Sequence, residues 1–283
     1  MSGASLVHRV GDASRRLRVH ASASGIRGRR RGHGLPVPLY VSVTSYPRRY
    51  PVLAITLRSL LVQSLRPDGV LLWVTDEERN ALPSDVLRLE RHGLTIRSGS
   101  ADLRSYAKLV FTLEAHPEAV VVTADDDTYY WRRWLESLVA AHRREPRSIW
   151  SHRAHWITVE PNGSPRPYAC WEHRTARVDG DRLFPTGVGG VLYPPGALHP
   201  DALDRNAFLR LAPQADDLWF YWQAKRVGTT VRRLPTRRPL RTWIGASPGL
   251  AEGNVGRAQN DAQLAALVAA YGLPWHAEVP PRP

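Results

Sequence analysis

Cysteine is almost absent from this chain: Cys170 stands alone among 283 residues. One thiol cannot close an intrachain disulfide, and such sparing use of cysteine fits a reducing compartment. Cys170 itself reads as a small, semi-buried side chain rather than a nucleophile. Long hydrophobic runs are missing too. Nothing approaches the roughly 18–20 uninterrupted apolar residues of a membrane span, and the N-terminal segment has no apolar centre of the kind a secretory leader carries. These absences set the expectation of a cytoplasmic protein, at most peripheral at the inner face of the plasma membrane. No internal repeat is visible. No zinc-finger or RNP signature occurs, and the first strand is followed neither by a P-loop lysine nor by a glycine-rich basic signature.

Positive charge is abundant, and it is uneven. The formal net charge is +13. Residues 1–35 hold Arg9, Arg15, Arg16, Arg18, Arg27, Arg29, Arg30 and Arg31 against the single acid Asp12, which is +7 in the tail and leaves +6 for the body. The tail is rich in Ser, Ala and Gly and has little apolar periodicity beyond Leu17 and Val19, so it reads as disordered. Such a tail suits an anionic membrane surface or nucleic acid. Specific nucleic-acid recognition is not expected, because the basic excess is concentrated in the tail.

After Pro36 the pattern alternates between strands and helices. Pro38–Thr44 and Val70–Val74 read as strands, as do Leu94–Arg97 and Val120–Ala124. Helical spacing covers Leu53–Leu65, Pro83–His92, Asp102–His116 and Leu135–Arg144. Short links between them argue for a mostly parallel sheet covered on both faces. The second half is less regular. Ser148–Ile157 reads as one strand, 160–182 as a surface loop, Leu218–Arg226 and Asp261–Tyr271 as helices. The expected organisation is a single α/β domain over 36–283, with a nucleotide-binding half at 36–147 and an acceptor or catalytic half at 148–283.

One stretch carries the chemistry. Val120–Ala124 is apolar and β-branched, and it ends in Asp125-Asp126-Asp127. Acids at the carboxyl end of a buried strand fall where open α/β sheets place ligands. Three adjacent carboxylates repel one another unless a cation or a proton neutralises them. Hard divalent cations such as Mg²⁺ and Mn²⁺ take oxygen ligands and share them with substrate phosphates. The competing reading is a solvated acidic turn capping the following helix. A second acidic pair, Asp216-Asp217, opens another helix after Pro213, and there too capping competes with catalysis.

Four segments in order, TSYPRR at 44–49, TADDDTYY at 123–130, FPTGVGGVLYPP at 184–195 and APQADDLWF at 212–220, resemble the GT-A-fold glycosyltransferases, in particular the family-2-like bacterial enzymes that build surface polysaccharides. The resemblance implies a Rossmann-like GT-A domain and transfer of a sugar from a nucleotide-sugar donor, UDP-linked by preference, to a glycan or lipid-linked hydroxyl. It implies Mn²⁺ or Mg²⁺ held by Asp127 and Asp125, with Asp126 sharing donor contacts. Thr44, Ser45 and Tyr46 match positions near the donor base and ribose, Arg104 and Lys108 positions near its diphosphate, and Gly189 and Gly190 a loop along its sugar. Asp216-Asp217 matches the pair that holds the catalytic base of inverting members, Asp217 being preferred.

The chain also departs from that pattern. The Gln-x-x-Arg-Trp signature of processive synthases is missing, the nearest string being Arg241-Thr242-Trp243, so single addition is expected rather than processive polymerisation. Relatives place a late histidine on the metal, for which His276, His199, His152 and His155 are candidates. The polar cluster Asn260-Asp261-Gln263 has no assigned role beyond helix capping. Among the ten tryptophans, Trp156 and Trp171 are candidates for an acceptor groove. Against the transferase stand two other readings, a nucleotidyltransferase or phosphohydrolase using the acidic triplet, and a basic nucleic-acid-binding protein.

Overall fold

The computed structural model describes residues 3–23, 31–235, 238–246 and 255–275. The apolar runs of the first half form strands β1 (Leu39–Thr44), β2 (Gly69–Val74), β3 (Leu94–Ser98) and β4 (Val120–Ala124); the second half adds β5 (Ile149–Ser151), β6 (Val191–Tyr193) and β7 (Val231–Arg233). They make one seven-stranded sheet in the order β7-β5-β6-β4-β1-β2-β3. Strands β1 to β4 run parallel. β6 is antiparallel to both its neighbours, and β7 is parallel to β5. The chain thus steps outward from β1 to β3 and then returns to lay β4 on the other side of β1. That reversal opens a crevice at the carboxyl ends of β1 and β4. Because β6 runs the other way, its leading loop arrives at the same edge, and β5 delivers residues 152 onward there.

The longer helices are α1 (Gly3–Ala23), α2 (Tyr50–Leu61), α3 (Ala107–Ala115), α4 (Trp134–Arg144), α5 (Asp216–Arg226) and α6 (Val255–Tyr271). Side chains along a strand alternate between faces, and the core divides accordingly. Leu39, Val41 and Val43 with Val120 and Val122 pack on α2 and α4. Leu71, Trp73, Val121 and Tyr193 pack on α3, α5 and α6. Both faces are covered, which is why these strands read as continuous apolar runs.

Several sequence expectations shift. The helix expected over Leu53–Leu65 begins earlier, at Tyr50, where Pro51 sits in the first turn. The helical stretch from Asp102 is a 3₁₀ turn at Arg104–Tyr106 before α3. The single strand expected over Ser148–Ile157 is two: β5 stays in the main sheet, while Ala154–Trp156 leaves it and pairs antiparallel with Leu183–Pro185. Cys170 is exposed rather than semi-buried.

The N-terminal tail needs a correction. Over its described part it is not disordered, since Gly3–Ala23 is helical. The sparse apolar signal suffices because it meets a prepared surface: Val19, only 2% exposed, packs with Val52, Ile55 and Trp243. Its one acid is well used, since Asp12 accepts hydrogen bonds from Arg15 and Arg16. Among the described residues no helix is long and apolar enough to cross a membrane.

The loop entering β6 depends on glycine. Gly190 has φ +94°, and a Cβ there would lie 2.5 Å from the Trp134 ring, itself fully buried and donating its indole N–H to the Gly189 carbonyl at 2.6 Å. Gly190→Ala should therefore destabilise the fold by roughly 2–4 kcal/mol, from backbone strain and overpacking together. Urea denaturation measures this, and an unchanged midpoint would contradict the assignment.

Candidate active site

A cleft of about 1450 Å³ opens at the carboxyl ends of β1 and β4, and it gathers Ser45, Asp125, Asp126, Asp127, Gly187 and Asp217 among its lining residues. The acids come straight off β4. Asp125 is held by Lys108, Nζ to Oδ1 3.0 Å. Asp126 accepts a hydrogen bond from the Ser45 hydroxyl at 2.6 Å and lies 4.0 Å from the Arg49 guanidinium. Asp127 accepts from Arg49 and, at 3.1 Å, from the Thr128 hydroxyl. The backbone of the turn is fixed as well. The Asp125 N–H donates to the buried Tyr130 hydroxyl at 2.7 Å, and the Asp127 carbonyl accepts the Trp243 N–H at 2.9 Å.

Capping does not explain these residues. The N-cap of α4 is Arg133, with no side-chain cap, and Thr128–Tyr129 pairs instead with Arg241–Thr242. At the second acidic pair the N-cap is Ala215, again with no side-chain cap. Asp216 and Asp217 both line the cleft. Asp216 lies 3.9 Å from Lys108 Nζ. Asp217 points both oxygens at the Gly187 N–H, at 3.0 and 2.9 Å. Lys108, on the first turns of α3, thus stands between the two acidic groups.

The electrostatics follow from this crowding. Five carboxylates (Asp125, Asp126, Asp127, Asp216 and Asp217) share the site with two paired cations, Arg49 and Lys108. Burial pushes Asp126 up to about 7, against the pull of Ser45 and Arg49. Burial also raises Asp127, with repulsion from Asp125 added. Asp217 is raised by burial first and by Asp216 second, while Lys108 and the Gly187 N–H oppose the shift. Burial works against the Lys108 ammonium, but Asp125, Asp216 and Asp217 outweigh it and hold the amine charged.

Among the described residues no three His, Cys, Asp or Glu side chains converge as a ready ligand set. The three acids of the triplet instead turn to separate partners. That arrangement fits a small divalent cation that takes one or two carboxylates and completes its sphere with substrate phosphates. The excess of buried negative charge supplies the electrostatic reason for a cation to enter.

The remaining expected residues fall into place unevenly. Thr44, Ser45, Tyr46, Arg104 and Lys108 all line the cleft. Thr44 directs its hydroxyl to the Trp73 carbonyl at 2.9 Å. Arg104 adopts φ +52°, unusual for a side-chain-bearing residue, with its N–H on Asp102 at 3.0 Å. Gly189 and Gly190 are not lining residues; they press against Leu240 and Trp134, while Gly187 and Val188 face the cleft. Asp261 and Gln263 tie α6 to the site, accepting the Tyr168 and Gln214 N–H groups at 2.7 and 2.9 Å. Asn260 lines the cleft. Neither tryptophan proposed for an acceptor groove does: Trp171 is buried against Phe184, and Trp156 lies between the Arg177 and Arg182 guanidiniums. Among the histidines, His276 lies outside the described residues. His199 caps the turn Pro200–Leu203. His152 and His155 line the cleft, but burial lowers them to about 4 and about 3.

Sequence reasoning missed Arg49, Tyr130 and Trp243. Arg49 was within reach, being the last residue of the quoted TSYPRR segment, and an arginine one turn beyond a ligand-binding strand is a natural partner for a carboxylate.

No protein-family model and no curated protein matches the chain. Among solved structures it is similar to the mannosyltransferase PcManGT from Pyrobaculum calidifontis in complex with GDP-Man and Mn²⁺, with a TM-score of 0.51 and 14% identity over 94% of this chain and 74% of that one. The fold is GT-A-like. At such low identity the likeness is one of fold. Two structures of S. aureus TarS 1-349 match with TM-scores of 0.45 and, in complex with UDP-GlcNAc, 0.49; their identities are 15% and 14%, over 82% and 83% of this chain and 70% and 68% of theirs. These add nothing to the GT-A assignment, which rests on the sheet order and the first match.

The raised pKa of Asp217 gives a prediction independent of any substrate. A carboxyl whose folded-state pKa exceeds its unfolded value favours folding below the unfolded pKa, and that contribution is lost as pH rises through the folded value. Asp217→Asn, which keeps an acceptor for the Gly187 N–H, should be more stable than the parent by about 1–3 kcal/mol at pH 8. The gain should vanish by pH 4. Chemical denaturation at the two pH values checks it, and an Asn variant less stable at pH 8 would refute the burial argument.

Proposed function

We propose that the protein is a metal-dependent glycosyltransferase, moving a sugar from a nucleotide-sugar donor, UDP-linked by preference, to a hydroxyl of a glycan or lipid-linked acceptor with inversion. The observation that carries this reading is the opposition, in one cleft, of the Asp125-Asp126-Asp127 turn and the Asp216-Asp217 pair, with Lys108 lying 3.0 Å from Asp125 and 3.9 Å from Asp216. The first group follows β4 at the carboxyl edge of the sheet, and the second lines the same cleft, which supports the reading.

Asp127 and Asp125 would hold Mn²⁺ or Mg²⁺, consistent with the Mn²⁺ and GDP-Man in the complex of the similar mannosyltransferase. The cation supplies Lewis acidity toward the departing diphosphate. The chain's own residues do the rest. Arg49 and Ser45 fix the orientation of Asp127 and Asp126, and Lys108 holds Asp125. Asp217 takes the proton from the acceptor hydroxyl; that oxygen bonds to the anomeric carbon from the face opposite the diphosphate. The bond from carbon to phosphate oxygen breaks with its electron pair on the nucleoside diphosphate. A carboxylate at a helix N-terminus is ordinarily a weak base, because the helix dipole favours its charged form. Burial beside Asp216 offsets this and raises Asp217 toward the working range of a general base.

Peripheral attachment to an anionic membrane through residues 1–35 belongs to the same proposal. It is supported by α1, which exposes Arg9 and Arg18 together with Val10 and Leu17. A single helix with that mixture suits a headgroup boundary.

Calorimetric titration with UDP and GDP, with and without Mn²⁺, tests the donor site. Asp127→Ala should abolish metal-dependent nucleotide binding. Asp217→Asn should keep nucleotide affinity within about threefold while lowering transfer by 10²–10⁴-fold, the range for losing a general base. Metal-independent binding, unaltered in Asp127→Ala, would remove the metal assignment.

A further inference from the structure

One wall of the cleft carries two guanidinium groups that no carboxylate among the described residues pairs directly. Where the chain leaves β5, Arg153 enters the cleft beside Arg174, which comes from the opposing segment. The two segments are tied together: the Thr175 N–H donates to the Ala154 carbonyl at 3.1 Å, and the Arg174 N–H donates to His155 Nδ1 at 3.0 Å. Arg174 is held at φ +54° to make that bond, a conformation that costs a non-glycine residue about 1 kcal/mol or more. His173 lies on the same wall, its ring nitrogen 3.2 Å from His155.

Neither arginine has a carboxylate within salt-bridge distance among the described residues. Most other buried or half-buried cations of the molecule are paired, including Arg49, Lys108, Lys225, Arg226 and Arg232. Arg153 is the exception that matters. It is largely withdrawn from solvent, its Nε has no hydrogen-bond partner, and the hydroxyl of neighbouring Thr186 has none either. Buried polar groups left unpaired cost about 1–3 kcal/mol each, and the folded chain offers this guanidinium no compensating partner among the described residues. Burial and the proximity of Arg174 both disfavour the charge on Arg153, with Tyr168, Asp217 and Asp125 acting the other way. His155 is kept neutral by its burial and by Arg153.

The position of this patch gives it a meaning. The Thr186 N–H donates to the Arg153 carbonyl at 3.1 Å, and the next residue, Gly187, donates its N–H to Asp217. The backbone of Arg153 and the carboxylate of Asp217 are therefore tied to adjacent residues of one loop. The donor end is served separately by Arg49 and Lys108. We propose that Arg153 and Arg174 form a receptor for an oxyanion carried by the acceptor, a phosphate ester or a sugar carboxylate, which sets the acceptor's hydroxyl against Asp217. Guanidinium groups suit such planar or tetrahedral oxyanions through paired N–H donors. The acceptor role rests on the glycosyltransferase reading; the anion site itself does not.

Ligand-observed NMR on the full chain tests both levels, with glucose 6-phosphate and glucuronate as probes and glucose as the neutral control. Each is measured with and without UDP or GDP and Mn²⁺. At least one anionic sugar should bind ten times more tightly than glucose, and which of the two wins identifies the oxyanion. Arg153→Gln and Arg174→Gln should each weaken that binding at least tenfold while leaving nucleotide affinity within twofold, which also reports that the variants fold. If Arg153→Gln fails to fold, the exposed Arg174→Gln carries the test. Anion binding equal to glucose, or unaltered in the variants, overturns the proposal. Parallel loss of nucleotide affinity in folded variants also overturns it, by assigning the pair to the donor diphosphate. Arginine-dependent anion binding with no nucleotide binding under any condition leaves the anion site standing and removes the glycosyltransferase reading.

Discussion

The ammonium of Lys108 is the interaction on which the site depends. It sits at the start of α3, buried, 3.0 Å from Asp125 on one side and 3.9 Å from Asp216 on the other. An ammonium withdrawn from water is costly unless it is matched, and here several carboxylates match it. The same contacts that keep Lys108 charged hold the end of β4 against the start of α5. Those two elements belong to different halves of the chain. Without the lysine, Asp125 and Asp216–Asp217 would face each other with no cation between them, and repulsion would work against what the cleft brings together.

Around that junction the structure distributes opposite charges to opposite ends. The end of the cleft next to β1 and β4 is rich in acids that outnumber their cationic partners, which suits the proposed metal ion and its phosphates. The wall formed by residues 153 and 174 is basic and unpaired. Both ends converge on Asp217, whose two oxygens share a single backbone N–H. Asp217 is thus positioned by a glycine amide rather than by a direct ion pair. An ion pair would have pulled its pKa back down.

Much of this was legible in the sequence, and the reasons are physical. β1, β2 and β4 are buried on both faces, so their apolar runs are long and unbroken, and the acids that follow them stand out. Asp125 could be named from the strand that precedes it, whereas Ser45, Lys108 and Asp217 were pointed to by the resemblance of the segments that hold them. What was not legible depended on contacts between distant segments. A helical α1 has little periodicity of its own and is defined by Val19 meeting Val52, Ile55 and Trp243. The two-strand division at His152–Arg153 is set by pairing with Leu183–Pro185, thirty residues on. Gly189 and Gly190 looked like ligand-facing positions because glycine permits close approach, but the approaching groups are Leu240 and Trp134. Glycine reports that something is near, not what it is.

Trp243 ties the metal-type turn to a late segment of the chain. Its backbone N–H holds the Asp127 carbonyl, its indole donates to Thr56 at 2.9 Å on α2, and its ring takes the Arg16 guanidinium at 5.2 Å from α1. The acidic turn follows β4 closely in sequence, yet one of the bonds that fixes it comes from a residue more than a hundred positions downstream. During synthesis, then, the ribosome releases Asp127 long before the segment that locks it. The nascent sheet can form while the crevice is still unfinished, and the finished cleft becomes a late product of translation, assembled only when α1 and the segment around Trp243 have met over α2.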